Sequence, residues 1–199
     1  MIWWGYFCIR AEKGYENMAI IKTAILQTHV YEEKSRNITQ AAEILARPEL
    51  QGIDLAVLPE MFCCPYENKY FPEYAEAEGG DTWEKCSRLA AERGIYLVAG
   101  SMPERDAAGH IYNTSYVFDR NGHQIGKHRK MHLFDIDVKG GQYFKESDTL
   151  TPGDQVTVFD TEFGKIGLCI CYDFRFPELA RLMADQGAEV IIVPAAFNM

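Results

Sequence analysis

Positive charge is scarce in this sequence. Its 199 residues carry 20 lysines and arginines against 29 aspartates and glutamates, a formal charge of -9. Tracking a phosphate backbone or an anionic lipid surface takes a basic face, so nucleic acid and membrane surfaces are excluded as general partners. A small anionic substrate in a locally positive pocket is not. Long apolar runs are missing too. The stretch from Ile2 to Ile9 is too short to cross a bilayer, has no basic lead or small-residue cleavage site, and runs into Arg10, Glu12 and Lys13. It reads as neither a spanning helix nor a secretory leader. Cysteine is sparse: Cys8, Cys63, Cys64, Cys86, Cys169 and Cys171 do not make the dense framework of a small secreted domain. Combining Cys63, Cys64, Cys169 and Cys171 with His132 matches no usual zinc spacing. A reducing, cytoplasmic setting without metal or cofactor is therefore expected. Internal repeats and low-complexity tracts are absent as well.

What is present is ordinary globular composition, 47% hydrophobic and 25% charged, which supports one domain with a sizeable core. Residues 1–18 are expected to be an extension outside that domain, which is taken as 19–199 with Met18 as an alternative start. From Ala19 onward, strand and helix patterns alternate. Ile20 to Leu26 reads as a strand, and Ile38, Ala41, Ala42 and Leu45 form one helical face that Pro48 ends. Ile53 to Leu58 is a second strand. Asp81 with Glu84 resembles a capping box for a helix that Gly94 stops before a strand at Ile95 to Ala99. Tyr112 to Phe118 and Gln124 to His128 flank Asn121-Gly122, a hairpin signal. Val156 to Asp160, a strand from Lys165, a helix to about Gln186 and the apolar run Val190 to Val193 complete the pattern. The last of these reads as a strand covered on both faces, yet little chain follows it, so the domain is expected to be incomplete at its C-terminal end. The pattern predicts an α/β sandwich with mixed sheets.

Chemistry is concentrated at three strand ends and one loop. In KIGLCICYDFRFP, from Lys165 to Pro177, a short apolar strand ends at Cys171 just before a helix opens, and a thiol past a strand's carboxyl end is well placed as a nucleophile. Alternation points Cys169 the same way as Gly167, toward packing. Glu60 follows the second strand, Lys130 follows the hairpin in HRKMHLFDID, and Glu146 lies in the loop YFKESD. A cysteine attacking an amide needs a base, a cation or N–H groups for the oxyanion, and an acid for the departing amine, and these residue types supply each part. Three other classes compete. They are a Cys-His enzyme using His128 or His132, a metal-binding protein, and an inactive fragment serving as an interaction module.

Taken together, LPEMF, HRKMHLFD and GLCICYDFRFPE resemble, in the same order, the glutamate, lysine and cysteine motifs of the nitrilase superfamily, the carbon-nitrogen hydrolases. The resemblance runs from Ala19 to Met199. It implies a four-layer αββα sandwich lacking its C-terminal part, paired with a second copy through faces near the site. It also implies a Glu60, Lys130 and Cys171 triad, with Glu146 assisting and a backbone N–H near Tyr172 helping to hold the oxyanion. Tyr172-Asp173-Phe174-Arg175 looks like the amidase branch. CCPYENKYFPEYAE and HLFDIDVKGGQYFKES look most like omega-amidases, which act on the monoamides of alpha-keto acids such as 2-oxoglutaramate and 2-oxosuccinamate. Amidases of deaminated glutathione are the nearest rival. Tyr66, Tyr172 and Arg175 are expected to contact a small-molecule amide substrate, with Lys69 a further candidate for a substrate carboxylate.

Overall fold

Alternation along the apolar strands decides which side each one buries. Ala24, Ala56, Leu58, Leu97 and Ala99 point to one core, while Ile21, Leu55, Val57, Tyr96 and Val98, offset by one residue, point to another. The computed structural model describes residues 2–10 and 18–196, with 2–10, 18 and 19 described by their backbone alone. Elements run β1 (Ile2–Arg10), β2 (Met18–Leu26), α1 (Lys34–Leu45), β3 (Leu55–Val57), α2 (Phe71–Tyr74), α3 (Asp81–Arg93), β4 (Tyr96–Arg105), β5 (Ile111–Phe118) and β6 (Gln124–Arg129). There follow β7 (Asp135–Asp137), β8 (Tyr143–Lys145), β9 (Thr157–Thr161), β10 (Gly164–Leu168), α4 (Pro177–Asp185) and β11 (Val190–Ile192), with short 3-10 turns at Glu146–Asp148 and Cys171–Arg175.

Strands β1 to β6 form one sheet in sequence order, parallel through β2, β3 and β4 and antiparallel elsewhere. A second sheet has the order β11-β10-β9, with β11 parallel and β9 antiparallel to β10. Helices α1 and α3 cover the outer face of the larger sheet through Ile38, Ala41, Leu45, Cys86 and Leu89. Phe159, Ile166 and Leu168 of the smaller sheet fill the space between the sheets. Leu179 and Met183 of α4 pack on Cys169 behind the smaller sheet. The order helix, sheet, sheet, helix is the expected four-layer αββα sandwich with mixed sheets.

Several local expectations are corrected. Ile2–Arg10, set outside the fold by the sequence reading, forms the edge strand β1, paired antiparallel with β2 from Ile2 opposite Leu26 to Arg10 opposite Met18. Its run of aromatic and β-branched residues favours an extended backbone, and β2 offers an edge to pair with. The Asp81–Glu84 capping box is absent because the helix starts one residue earlier, with Gly80 as N-cap. Glu76 from the preceding loop caps it instead, accepting from Thr82 N at 2.8 Å and from Thr82 Oγ1 at 2.7 Å. Strand β11 agrees with its expectation: with little chain after the run Val190 to Val193 to cover it, it lies at its sheet's edge among the described residues and Ile191 is 36% exposed. The hairpin holds as read, with Asp119 accepting from the N–H groups of Asn121 and His123 at 2.8 Å each and Gly122 at φ 82°.

One irregularity serves the site. The β4–β5 pairing shifts between Ala99 and Met102, leaving Gly100 and Ser101 as a bulge. Ser101 N donates to Pro59 O at 3.3 Å, Ser101 Oγ accepts from Met61 N at 2.9 Å and Ser101 O accepts from Phe62 N at 3.1 Å, so the backbone is held on both sides of Glu60. Only glycine fits beside this contact, because a Cβ on Gly100 would lie 2.0 Å from Pro59 O. Gly100→Ala is therefore expected to cost about 3 kcal/mol from forced overpacking. Gly109→Ala, at φ 90° with nothing within 4 Å, should cost only about 1 kcal/mol of left-handed strain. Thermal unfolding of the two variants side by side checks this; equal losses would show that the close approach is not what requires glycine.

Candidate active site

Four stretches distant in sequence meet at one end of the sandwich. Glu60 lies just past β3, Lys130 just past β6, Glu146 opens the 3-10 turn after β8, and Cys171 opens the one after β10. Glu60, Lys130 and Glu146 are all fully or almost fully buried. Burying an ammonium is tolerable only where opposite charges surround it, and here two carboxylates do. Lys130 Nζ donates to Glu60 Oε1 at 2.9 Å and to Glu146, whose Oε2 lies at 2.9 Å and Oε1 at 3.1 Å. Burial alone would lower the lysine pKa, but the Glu60 and Glu146 charges override it and hold it above the usual range.

Each carboxylate has further donors. Glu60 Oε1 accepts from Asn113 Nδ2 at 2.9 Å, and Glu60 Oε2 accepts from Ala196 N at 3.0 Å. Glu146 Oε2 accepts from Phe134 N at 2.6 Å, and its Oε1 accepts from the Tyr66 hydroxyl at 2.5 Å. Burial raises the Glu60 pKa above the ordinary carboxylate range, and Lys130 only partly offsets this. Tyr66 packs edge-on against Phe71, and burial together with the two carboxylates keeps its phenol protonated.

Cys171 adopts φ 45°, a conformation that a residue with a Cβ holds only where its surroundings dictate it. Its N–H donates to Pro194 O at 2.8 Å, and its thiol stands beside the Glu60 carboxylate. Burial, followed by the Glu60 charge, pushes the thiol up to about 12, so it rests as a neutral thiol beside a carboxylate. A cleft of about 230 Å³ opens over it, lined by Tyr66, Phe134, Tyr172, Phe174 and Arg175 among others. Within the Cys171–Arg175 turn the Tyr172 N–H has no acceptor among the described residues. Arg175 has no ion-pair partner among them either, lying only against the Phe174 ring at 5.1 Å.

The structure thus brings Glu60, Lys130, Glu146, Cys171 and Tyr66 into one cluster and sets Tyr172 and Arg175 along its cleft. Lys69 is not brought there; it is 64% exposed and pairs with Glu67 at 3.0 Å. His128 and His132 both turn to Asp173, at 3.0 and 2.8 Å, rather than to Cys171, which leaves the Cys-His alternative without its base. Among the described residues no group of histidine, cysteine and acidic side chains is disposed to hold a metal. Sequence reasoning missed Asn113, Asp173, Ser101 and the Ala196 N–H. Only Asn113 left a signal, as a polar residue inside the strand run IYNTSYVF, all of which is buried.

A family model for carbon-nitrogen hydrolases matches residues 22–199. The chain belongs to the carbon-nitrogen hydrolase family. It is 47% identical over 182 residues to the omega-amidase NIT2 of Bos taurus and 46% identical to that of Homo sapiens, covering 92% of this chain and 66% of each relative. Among solved structures it is similar to Saccharomyces cerevisiae Nit3, of branch 10 of the nitrilase superfamily, with a TM-score of 0.81 and 41% identity over 90% of this chain and 65% of that one. An amidase from Nesterenkonia sp. matches with a TM-score of 0.77 and 26% identity over 90% of this chain and 66% of that one. A mutant of that amidase shows acrylamide added at its active-site cysteine. The chain thus spans about two thirds of the length of these relatives, and no helix among its described residues is long and apolar enough to cross a membrane.

The thiols make stability sensitive to alkali. Cys63, Cys64, Cys86, Cys169 and Cys171 are free, and burial pushes Cys63, Cys169 and Cys171 up to about 12. Unfolded thiols release their protons near about pH 8.5, so the folded state binds more protons between the two values. The stabilisation is complete below pH about 8.5 and is lost as the pH climbs toward 12. Urea midpoints should fall steadily from pH 8 to pH 10; a flat profile would contradict the buried, neutral thiols.

Proposed function

We propose that this family member is an omega-amidase that hydrolyses the terminal amide of a small alpha-keto acid monoamide, 2-oxoglutaramate or 2-oxosuccinamate, to the dicarboxylate and ammonia. The observation that carries the reading is the meeting of a neutral thiol, a carboxylate with raised proton affinity and a buried ammonium under a cleft that also holds an arginine with no ion-pair partner among the described residues. The 47% identity to an omega-amidase over 92% of the chain supports the same substrate class.

In the proposed reaction Glu60 takes the Cys171 proton as Sγ attacks the amide carbon, so no resting thiolate is required. Negative charge moves onto the carbonyl oxygen, where Lys130 Nζ and the Tyr172 N–H hold it. Collapse of the tetrahedral intermediate breaks the C–N bond. The nitrogen leaves as ammonia with the proton Glu60 had taken, and a thioester to Cys171 remains. Water then gives one proton to Glu60 and attacks the thioester carbon; collapse releases the acid, and the thiol recovers its proton. Glu146, which reaches Lys130 with both oxygens, keeps the ammonium in place between turnovers. The raised Glu60 pKa sets the acid limb of kcat/KM above the ordinary glutamate range, with activity falling as the pH drops through that value.

The Arg175 guanidinium suits the substrate carboxylate, since among the described residues no acid is paired with it. The test is ammonia release from 2-oxoglutaramate, 2-oxosuccinamate, deaminated glutathione, glutamine and simple nitriles. Keto-acid monoamides should be turned over best, Cys171→Ala should abolish turnover, Cys169→Ala should retain it, and Glu60→Gln should lower it by about 10² to 10⁴-fold. Arg175→Met should raise KM for the carboxylate-bearing amides about tenfold or more while leaving uncharged amides nearly unaffected. Turnover confined to deaminated glutathione or to nitriles would overturn the substrate assignment.

A further inference from the structure

Beyond the charged cluster, two buried carboxylates have no part in the proposed chemistry: Glu104, which pairs with Lys127 and Arg129, and Asp173. Asp173 is fully buried and accepts five hydrogen bonds. Its Oδ1 takes Met131 N at 3.1 Å, His132 N at 2.8 Å and His132 Nδ1 at 2.8 Å. Its Oδ2 takes His128 Nε2 at 3.0 Å and Ile170 N at 2.9 Å. All five donors come from two places: residues 128–132, which bracket Lys130, and residue 170, directly ahead of Cys171.

We propose that Asp173 is the positioning residue of this site, fixing the backbone that carries Lys130 to the turn that carries Cys171; this rests on the reading of those two as reacting groups. Everything else that holds Lys130 in place acts from its own side of the site. Its N–H donates to Asn113 O and its carbonyl accepts from Gly153 N, both at 2.8 Å, and its ammonium sits between two glutamates. None of those contacts includes the cysteine turn. Asp173 does include it, because its own N–H donates to Ile170 O at 3.0 Å while its side chain accepts from Ile170 N, closing the turn reciprocally around Cys171. That closure supports the strained φ of 45° that aims the thiol at Glu60. The His132 ring stacks on Phe176 with centroids 3.6 Å apart, a second tie between the same two segments.

A carboxylate can accept all five bonds, whereas an amide of equal size presents two hydrogens on one side to groups that are themselves donors. Asp173→Asn should therefore loosen the register between ammonium and thiol without removing any group from the cleft. A misplacement of about 1 Å is enough for roughly a hundredfold loss of rate.

The experiment measures, at pH 7, steady-state ammonia release, the rate of Cys171 alkylation by iodoacetamide and thermal unfolding for wild type, Asp173→Asn and His132→Phe. Phenylalanine keeps the stack on Phe176 and removes one of the five bonds, so this variant decides the matter if Asp173→Asn does not fold. Asp173→Asn is expected to lower kcat about a hundredfold with KM within threefold, and to slow alkylation at least tenfold. His132→Phe should change both in the same direction by less. Variants that melt at lower temperature yet keep kcat and alkylation within twofold of wild type would overturn the proposal, leaving Asp173 a purely structural group. Should wild type be alkylated readily but release no ammonia from any amide, the amidase reading fails, and the alkylation rates alone still decide the role of Asp173.

Discussion

A buried ammonium held between two carboxylates is the constraint on which the site depends. Removing an ion from water costs several kcal/mol even after relaxation, and the cost is offset only where partners are close and their remaining lone pairs are satisfied. Lys130, Glu60 and Glu146 meet that condition at 2.9 Å on both sides, with Asn113, Tyr66, Phe134 N and Ala196 N supplying the outer hydrogen bonds. Withdrawing the lysine would leave two buried carboxylates facing each other without a counter-ion. The resting Cys171 is neutral first because it is buried and then because the Glu60 carboxylate stands beside it, an effect that Lys130 only partly offsets.

That constraint explains why the layers matter. Glu60 and Lys130 leave from the larger sheet, and Cys171 leaves from β10 of the smaller one. Cys171 and Glu60 therefore face each other across the seam between two sheets. Their separation is set by the packing of Leu55, Val57, Val98, Ile166 and Leu168 in that seam. A core interior is close-packed, so a change of volume there would be transmitted to the site. The Gly100–Ser101 bulge completes the arrangement by fixing the turn that carries Glu60 to its neighbouring strand.

Most of this was legible in the sequence where periodicity and chain punctuation act locally. The strand ends carrying Glu60 and Cys171, the Asn121-Gly122 hairpin, the Gly94 helix stop and the burial of Cys169 against α4 all follow from spacing alone. Features that depend on long-range geometry were not. Glu76 rather than Glu84 assists the start of α3 because the loop, and not the helix, brings a carboxylate to Thr82. Asp173 looks in sequence like an ordinary acid in a polar turn, and only the approach of residues 128–132 gives it five donors. Lys69 does not line the cleft; it pairs at the surface with Glu67, two residues away, a contact that spacing to the cysteine motif could not reveal.

The two glutamates differ in what their oxygens have left to offer. Glu146 has Lys130 within reach of both oxygens, with Tyr66 on one and Phe134 N on the other, and it has no contact with the thiol. Glu60 concentrates its donors on one side: Lys130 and Asn113, each at 2.9 Å, both reach Oε1. Its Oε2 takes only Ala196 N, at 3.0 Å. A carboxylate oxygen has two in-plane lone pairs, so Oε1 is saturated and Oε2 retains one acceptor site. In the proposed reaction the thiol proton therefore passes to Oε2, and Lys130 on Oε1 keeps the charge of the carboxylate balanced while that proton comes and goes. The same division fixes the rotation of the Glu60 side chain, since turning it over would set Oε2 between Lys130 and Asn113 and take the open acceptor away. In the proposed reaction the base is thus chosen between two similar buried acids by the arrangement of donors around them.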